Sequence, residues 1–244
     1  MRLTNHVYLV GSGHFGISHA FDSSVYIVDC GNELVMVDAG AGCETERITS
    51  NMKDDGLDSS RISRILLTHG HADHAGGAHY FIEQFGCKVY LGEAESDLVE
   101  HGNEREISLD IAKRSGFYSP DYKFTNCKIA VRLKHEANIL CGNYAFNSLH
   151  VPGHSPGSFC FLVDLPEGKA LFTGDTVFPE GVIGMLNCDG SDLADYRNYI
   201  HRLANLNIDM LFPGHRVFVL SEGQSHVDQV IESLGLLQLP RNFI

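Results

Sequence analysis

Thr68-His-Gly-His-Ala-Asp-His-Ala-Gly-Gly77 places His69, His71, Asp73 and His74 within six residues, and no other segment is as dense in metal-binding side chains. It follows an apolar run, Ile65-Leu-Leu67, that reads as a short buried strand, and it precedes Ala78 to Phe85, which reads as a helix. A cluster at that junction sits beyond the carboxyl end of a strand, where open α/β sheets bind ligands.

Working outward, three more loops each follow a strand pattern and carry one donor preceded by glycine: Pro152-Gly-His154, Thr173-Gly-Asp175 and Pro213-Gly-His215. Glycine there lets the backbone approach a crowded centre closely. Singly, each donor is most simply a turn or helix-cap residue. Together with the cluster they make five histidines and two aspartates from four strand ends. Seven nitrogen and oxygen donors exceed the four of one tetrahedral ion and suit two ions sharing a bridging carboxylate and a water. Imidazole and carboxylate without thiolate make zinc the default metal, with iron or manganese as alternatives.

The remaining composition narrows the class. At 43% hydrophobic residues the chain can build a substantial core. Its 18 basic and 31 acidic residues give a net charge of -13 without a basic patch, which argues against nucleic-acid and acidic-membrane partners. The seven cysteines are scattered, odd in number and never arranged as CxxC, so reduced thiols in a cytoplasm are expected. No signal peptide and no membrane-spanning apolar run is read.

Strands are expected at Val7 to Val10, Val25 to Asp29, Leu34 to Asp38, Lys88 to Leu91, Ala145 to Val151, Phe159 to Asp164, Ala170 to Thr173 and Met210 to Phe212. Further helices are expected at Glu44 to Asp55, Glu95 to His101, Ile107 to Ser115, Leu193 to Leu206 and Gly223 to Leu237. Both halves run strands first and helices after, so an α/β chain (α+β in layout) of two stacked sheets covered by helices is expected. One domain over residues 1–244 is expected, with 93–135 as an insertion or lid.

The His69-x-His71-x-Asp73-His74 cluster, the Pro-Gly-His154-Ser-Pro-Gly loop, the Thr-Gly-Asp175 turn and the Pro-Gly-His215 turn, in that order, resemble the metallo-β-lactamase-fold hydrolases. The resemblance covers nearly the whole chain and implies a four-layer αββα sandwich with metals at one edge. It implies that His69, His71 and His154 hold one ion, that Asp73, His74 and His215 hold the other, and that Asp175 bridges them. Asp38, at the end of a hydrophobic strand, resembles the superfamily's first motif and stands behind the ligands. The metal motifs are similar to those of glyoxalase II, but the chain beyond His215 runs only over residues 216–244, short of that enzyme's helical C-terminal domain. The commonest metallo-β-lactamases carry cysteine where this chain has Asp175, which argues against antibiotic hydrolysis.

The expected chemistry is hydrolysis of an ester, thioester or lactone of a small molecule by a hydroxide bridging two divalent cations. Two ions about 3.5 to 4 Å apart lower the pKa of a shared water from about 15.7 to about 7. Asp73 is the candidate to orient that water or take its proton. A mononuclear iron oxidoreductase similar to the persulfide dioxygenases and a phosphodiesterase on the same scaffold are the alternatives. His14 and His19, in a Gly-rich loop, and Arg216, next to a proposed ligand, are candidate substrate contacts. Ser155 reads as a turn residue, and Tyr118, Tyr122 and Phe178 read as pocket lining or local packing.

Overall fold

The computed structural model describes residues 1–236 and 238–243. One mixed sheet holds six strands in spatial order: β1 (Val7–Gly11), β2 (Val25–Asp29), β3 (Leu34–Val37), β4 (Ile62–Leu66), β5 (Lys88–Gly92) and β6 (Val131–Leu133). The first three pair antiparallel, and β3 to β6 pair parallel. The second sheet begins with the antiparallel meander β7 (Ala137–Cys141), β8 (Tyr144–His150), β9 (Phe159–Leu165) and β10 (Gly168–Gly174). A short β11 (Val182–Ile183) stands apart; β12 (Met210–Pro213) joins β10 in parallel, and β13 (Arg241–Asn242) pairs with β11.

Alternation along each strand explains the layering, because successive side chains point to opposite faces. In β2, Tyr26 and Val28 enter the core between the sheets, while Val25 and Ile27 enter the outer core against α1 (Thr45–Asp54). The helix α2 (Ala72–Ala75) carries Asp73 and His74, the end of the donor cluster, and α3 (Ala78–Phe85) adds Phe81 to that outer core. The helices α4 (Glu93–His101) and α5 (Leu109–Arg114) follow β5. In β10, Ala170 and Phe172 face the first sheet, whereas Leu171 faces α6 (Leu193–Tyr199) and α7 (Gly223–Gly235). Both faces of the central strands are thus buried, which gives those strands their continuous apolar runs and makes the molecule an αββα sandwich, while the edge strand β7 leaves Leu140 exposed.

Several boundaries differ from the sequence expectation. β3 stops at Val37 because Asp38 adopts the left-handed region at φ 58°. The helix expected over 193–206 ends at Tyr199 and tightens into a 3-10 turn at Ile200–Leu203, followed by Asn205 and Asn207 at positive φ. The last helix ends at Gly235; its expected end, Leu237, lies outside the described residues. β6 and β7 were not anticipated, although Gly142-Asn143 marks the hairpin into β8. β6 makes the end of the 93–135 stretch an edge strand of the first sheet. Among the described residues no helix is long and apolar enough to cross a membrane, and all seven cysteines are free, with Cys160 fully buried.

Candidate metal centre

All seven donors gather at one edge of the sandwich, each from beyond a strand end. Three imidazole nitrogens converge: His69 Nε2 lies 3.0 Å from His71 Nδ1, and His154 Nε2 lies 3.1 and 3.0 Å from those two atoms. Two of the tautomers follow from the groups behind the rings. His154 Nδ1–H donates to the Gly184 carbonyl at 2.5 Å. Thr68 Oγ1 donates to the Asp38 carboxylate, so its contact with His69 Nδ1 at 3.0 Å is accepted from the ring. The Nε2 lone pairs of His69 and His154 therefore face inward, an arrangement suited to a cation.

A second group lies beside the first. His215 Nε2 is 3.0 Å from Asp73 Oδ2, and His74 Nε2 is 3.6 Å from the same oxygen. Asp175 stands between the groups: Oδ1 is 3.4 Å from His74 Nε2, while Oδ2 is 3.4 Å from His215 Nε2 and 3.7 Å from His154 Nε2. His74 Nε2 and Asp175 Oδ1 are fully buried without a hydrogen-bond partner among the described residues. Such orphans are costly unless another group satisfies them, and a divalent cation among these nitrogen and oxygen donors fits.

Glycine makes the approach. A Cβ on Gly214 would lie 2.4 Å from Asp175 Oδ1 and 2.5 Å from His74 Cε1; one on Gly174, at φ 50°, would meet Thr68 Oγ1 at 2.4 Å.

Electrostatics separate the two groups. Burial, with the neighbouring imidazoles, pushes His69 well below its ordinary pKa and His71 down to about 3, so both are neutral. Burial would also lower His74 and His215, but the aspartates outweigh it. Asp73, Asp38 and Asp175 hold His74 well above its usual value, and Asp175 and Asp73 hold His215 at about 9. Against burial, His74 and His215 draw Asp73 down to about 2, and the same two histidines hold Asp175 well below its usual range.

Asp38 sits behind the donors, accepting from His74 Nδ1 at 2.8 Å and from the Thr68 amide at 2.8 Å. Glu95, which sequence reasoning missed, is buried and accepts from the Gly70 amide at 2.7 Å between His69 and His71. Only its fold position identifies it.

A cavity of about 450 Å³ opens over the donors, with His71, Asp73, His154, Asp175 and His215 on one side. α5 and its flanks, residues 107–118, also line it, Tyr118 among them; Phe243, the far end of the described chain, lines it too and stacks on His215 at 5.3 Å. His14 and His19 do not line it. His14 is exposed against Phe15, and His19 packs on Phe21. Arg216 is also absent from the lining; it donates to the Phe243 carbonyl and lies over that ring. Ser155 bonds Ser158 within its turn, Tyr122 donates to the Ala41 carbonyl, and Phe178 stacks on Phe243.

A family model described as the metallo-beta-lactamase superfamily matches residues 20–215. The chain is 29% identical over 174 residues to the probable polyketide biosynthesis zinc-dependent hydrolase BaeB of Bacillus velezensis, covering 70% of this chain and 63% of that protein. It is 27% identical over 231 residues to the atrochrysone carboxyl ACP thioesterase of Aspergillus fumigatus, covering 94% and 62%. The chain thus spans about three fifths of the length of these relatives. In shape it is similar to BJP-1, a subclass B3 metallo-beta-lactamase of Bradyrhizobium japonicum, with a TM-score of 0.73, 21% identity and coverage of 95% of this chain and 89% of that one.

Proposed function

The chain belongs to the metallo-beta-lactamase superfamily, and from that premise we propose that it is a hydrolase of a small-molecule ester, thioester or lactone, working with two divalent cations. The observation that carries the two-metal reading is the buried pair His74 Nε2 and Asp175 Oδ1, 3.4 Å apart with neither atom in a hydrogen bond among the described residues. His69, His71 and His154 would hold one cation, Asp73, His74 and His215 the other, and Asp175 would serve both. Bound there, the cations would supply an activated water near neutral pH and polarise the substrate carbonyl.

The chain's own groups prepare that chemistry. Gly184 and Thr68 fix the ring protons of His154 and His69, while Asp38 holds His74 by its Nδ1–H, as partners behind a ligand do. Asp73, at the cavity floor, is the group proposed to orient the attacking water or take its proton. We read residues 1–244 as one working unit in which the 93–135 stretch acts as a lid, a reading supported by the 107–118 wall of the cavity.

Zinc is the favoured metal, in line with the name of BaeB, and a thioester is in line with the name of the Aspergillus relative. The test is a panel of thioesters, lactones, phosphodiesters and β-lactams assayed with metal content measured on the same sample. Hydrolysis of carbonyl esters, lost on chelation and restored by zinc, is expected. Full turnover by metal-free protein would overturn the proposal.

A further inference from the structure

Beyond the donors the cavity lining is mostly apolar, with Ile107, Leu109, Ile111 and Phe117 from the lid and Leu186 and Phe243 from elsewhere, beside the neutral Ser108, Ser115 and Asn187. Among the described residues no lysine or arginine lines it. The cations of the neighbouring helix are already engaged, Lys113 with Glu104 and Arg114 with Asp110. Arg216 is spent on the Phe243 carbonyl and ring. The whole chain is at -13.

A carboxylate or phosphate entering this wall would lose its water and gain no cationic side chain in exchange, only the neutral groups of Ser108, Ser115 and Asn187. The overall field would also repel it. An alkyl or aryl group would instead gain from leaving water. The volume of about 450 Å³ falls within the roughly 300–1,000 Å³ of small-molecule sites.

We propose that the cavity selects the acyl part of the substrate as an uncharged apolar group, a medium-length aliphatic or aromatic acyl, and rejects acyl groups bearing a carboxylate or phosphate. This rests on the hydrolase reading above. It adds a sign and a polarity to the substrate that the metal donors alone do not specify, and it excludes dicarboxylic half-esters and phosphorylated acids.

The full-length zinc-loaded protein is assayed with acyl thioesters of one neutral leaving group, N-acetylcysteamine, in matched pairs: butanoyl with succinyl, and hexanoyl with adipyl. The expected kcat/KM rises by roughly fourfold per methylene until the cavity is filled, and each neutral acyl exceeds its anionic partner by at least about tenfold. Ile111→Lys, at a partly exposed position of α5, should narrow that ratio. Equal or better turnover of the anionic acyl groups overturns the proposal. Calorimetry with hydrolysis-inert octanoyl and adipyl amides decides the case if no ester turns over. Preferential octanoyl binding keeps the cavity assignment while the hydrolase reading fails, and equal or absent binding overturns the assignment.

Discussion

His74 Nε2 and Asp175 Oδ1 face each other at 3.4 Å in the interior, and neither has a hydrogen-bond partner among the described residues. The two oxygens of Asp175 point at different histidines, Oδ1 at His74 and Oδ2 at His215 and His154. A residue so placed couples the two donor groups. Asp175→Ala should therefore lower metal affinity at both, by more than the roughly 10–100-fold that loss of an outer partner costs. Elemental analysis and competitive zinc titration of the variant check this; loss of only one equivalent would argue against the bridge.

Asp38→Asn separates hydrogen bonding from backbone strain. Asp38 sits at φ 58°, a conformation asparagine tolerates, so the turn should survive. What changes is the charged acceptor for His74 Nδ1 and the Thr68 amide. A loss of about 10–100-fold in affinity at the Asp73, His74 and His215 group is expected with the far-UV spectrum unchanged. Unaltered zinc binding would remove Asp38 from this role.

Glu95 holds the amide of Gly70 at 2.7 Å and packs so tightly on the His154 loop that a Cβ on Gly157 would lie 2.7 Å from its Cγ. It therefore positions the loops that carry His69, His71 and His154. Glu95→Ala should cost about 1–3 kcal/mol by orphaning a buried amide and weaken zinc binding at the imidazole triad. Glu95→Gln, which keeps an acceptor, should recover most of both. Urea denaturation and zinc titration of the two variants decide it, and an Ala variant indistinguishable from the parent chain would refute it.

In the metal-free protein the His215–Asp73 pair gives a pH signature. The folded pKa of His215 is raised from 6.5 to about 9, so its contribution to stability is complete below 6.5 and disappears as pH climbs through about 9. Asp73 is lowered from 3.8 to about 2, so its contribution is complete above 3.8 and disappears as pH falls through about 2. Thermal melts of metal-free protein should accordingly lose stability from about pH 6.5 to 9. Zinc must displace the His215 proton, so its uptake should release protons below pH 9. A melt profile flat over that range, with no proton release, would contradict the assignment.

Most of the candidate metal centre is legible in the sequence because its proposed donors lie in short stretches with local signatures. His69 to His74 are contiguous, and His154, Asp175 and His215 each follow the glycine that the crowding requires. The strands are legible for a related reason, since burial on both faces leaves runs such as Phe159 to Val163 without polar interruption. The surroundings are not legible in this way. Glu95 lies 25 residues from the amide it holds, and Phe243 reaches His215 through the pairing of β11 with β13 and its contacts with Arg216 and Phe178. Nothing in their own neighbourhoods marks either residue. His14 and His19 show the converse: a Gly-rich loop near a site in sequence logic, with side chains that pack on Phe15 and Phe21 away from the cavity lining.

The central claim is a two-cation hydrolytic centre, and it is tested most directly by titrating metal-free full-length chain with zinc against a chromophoric chelator while following hexanoyl-thioester hydrolysis in the same cuvette. Two equivalents bound, with turnover appearing as they bind, is the predicted result. Turnover already complete before zinc is added, or no zinc held against the chelator, would contradict it.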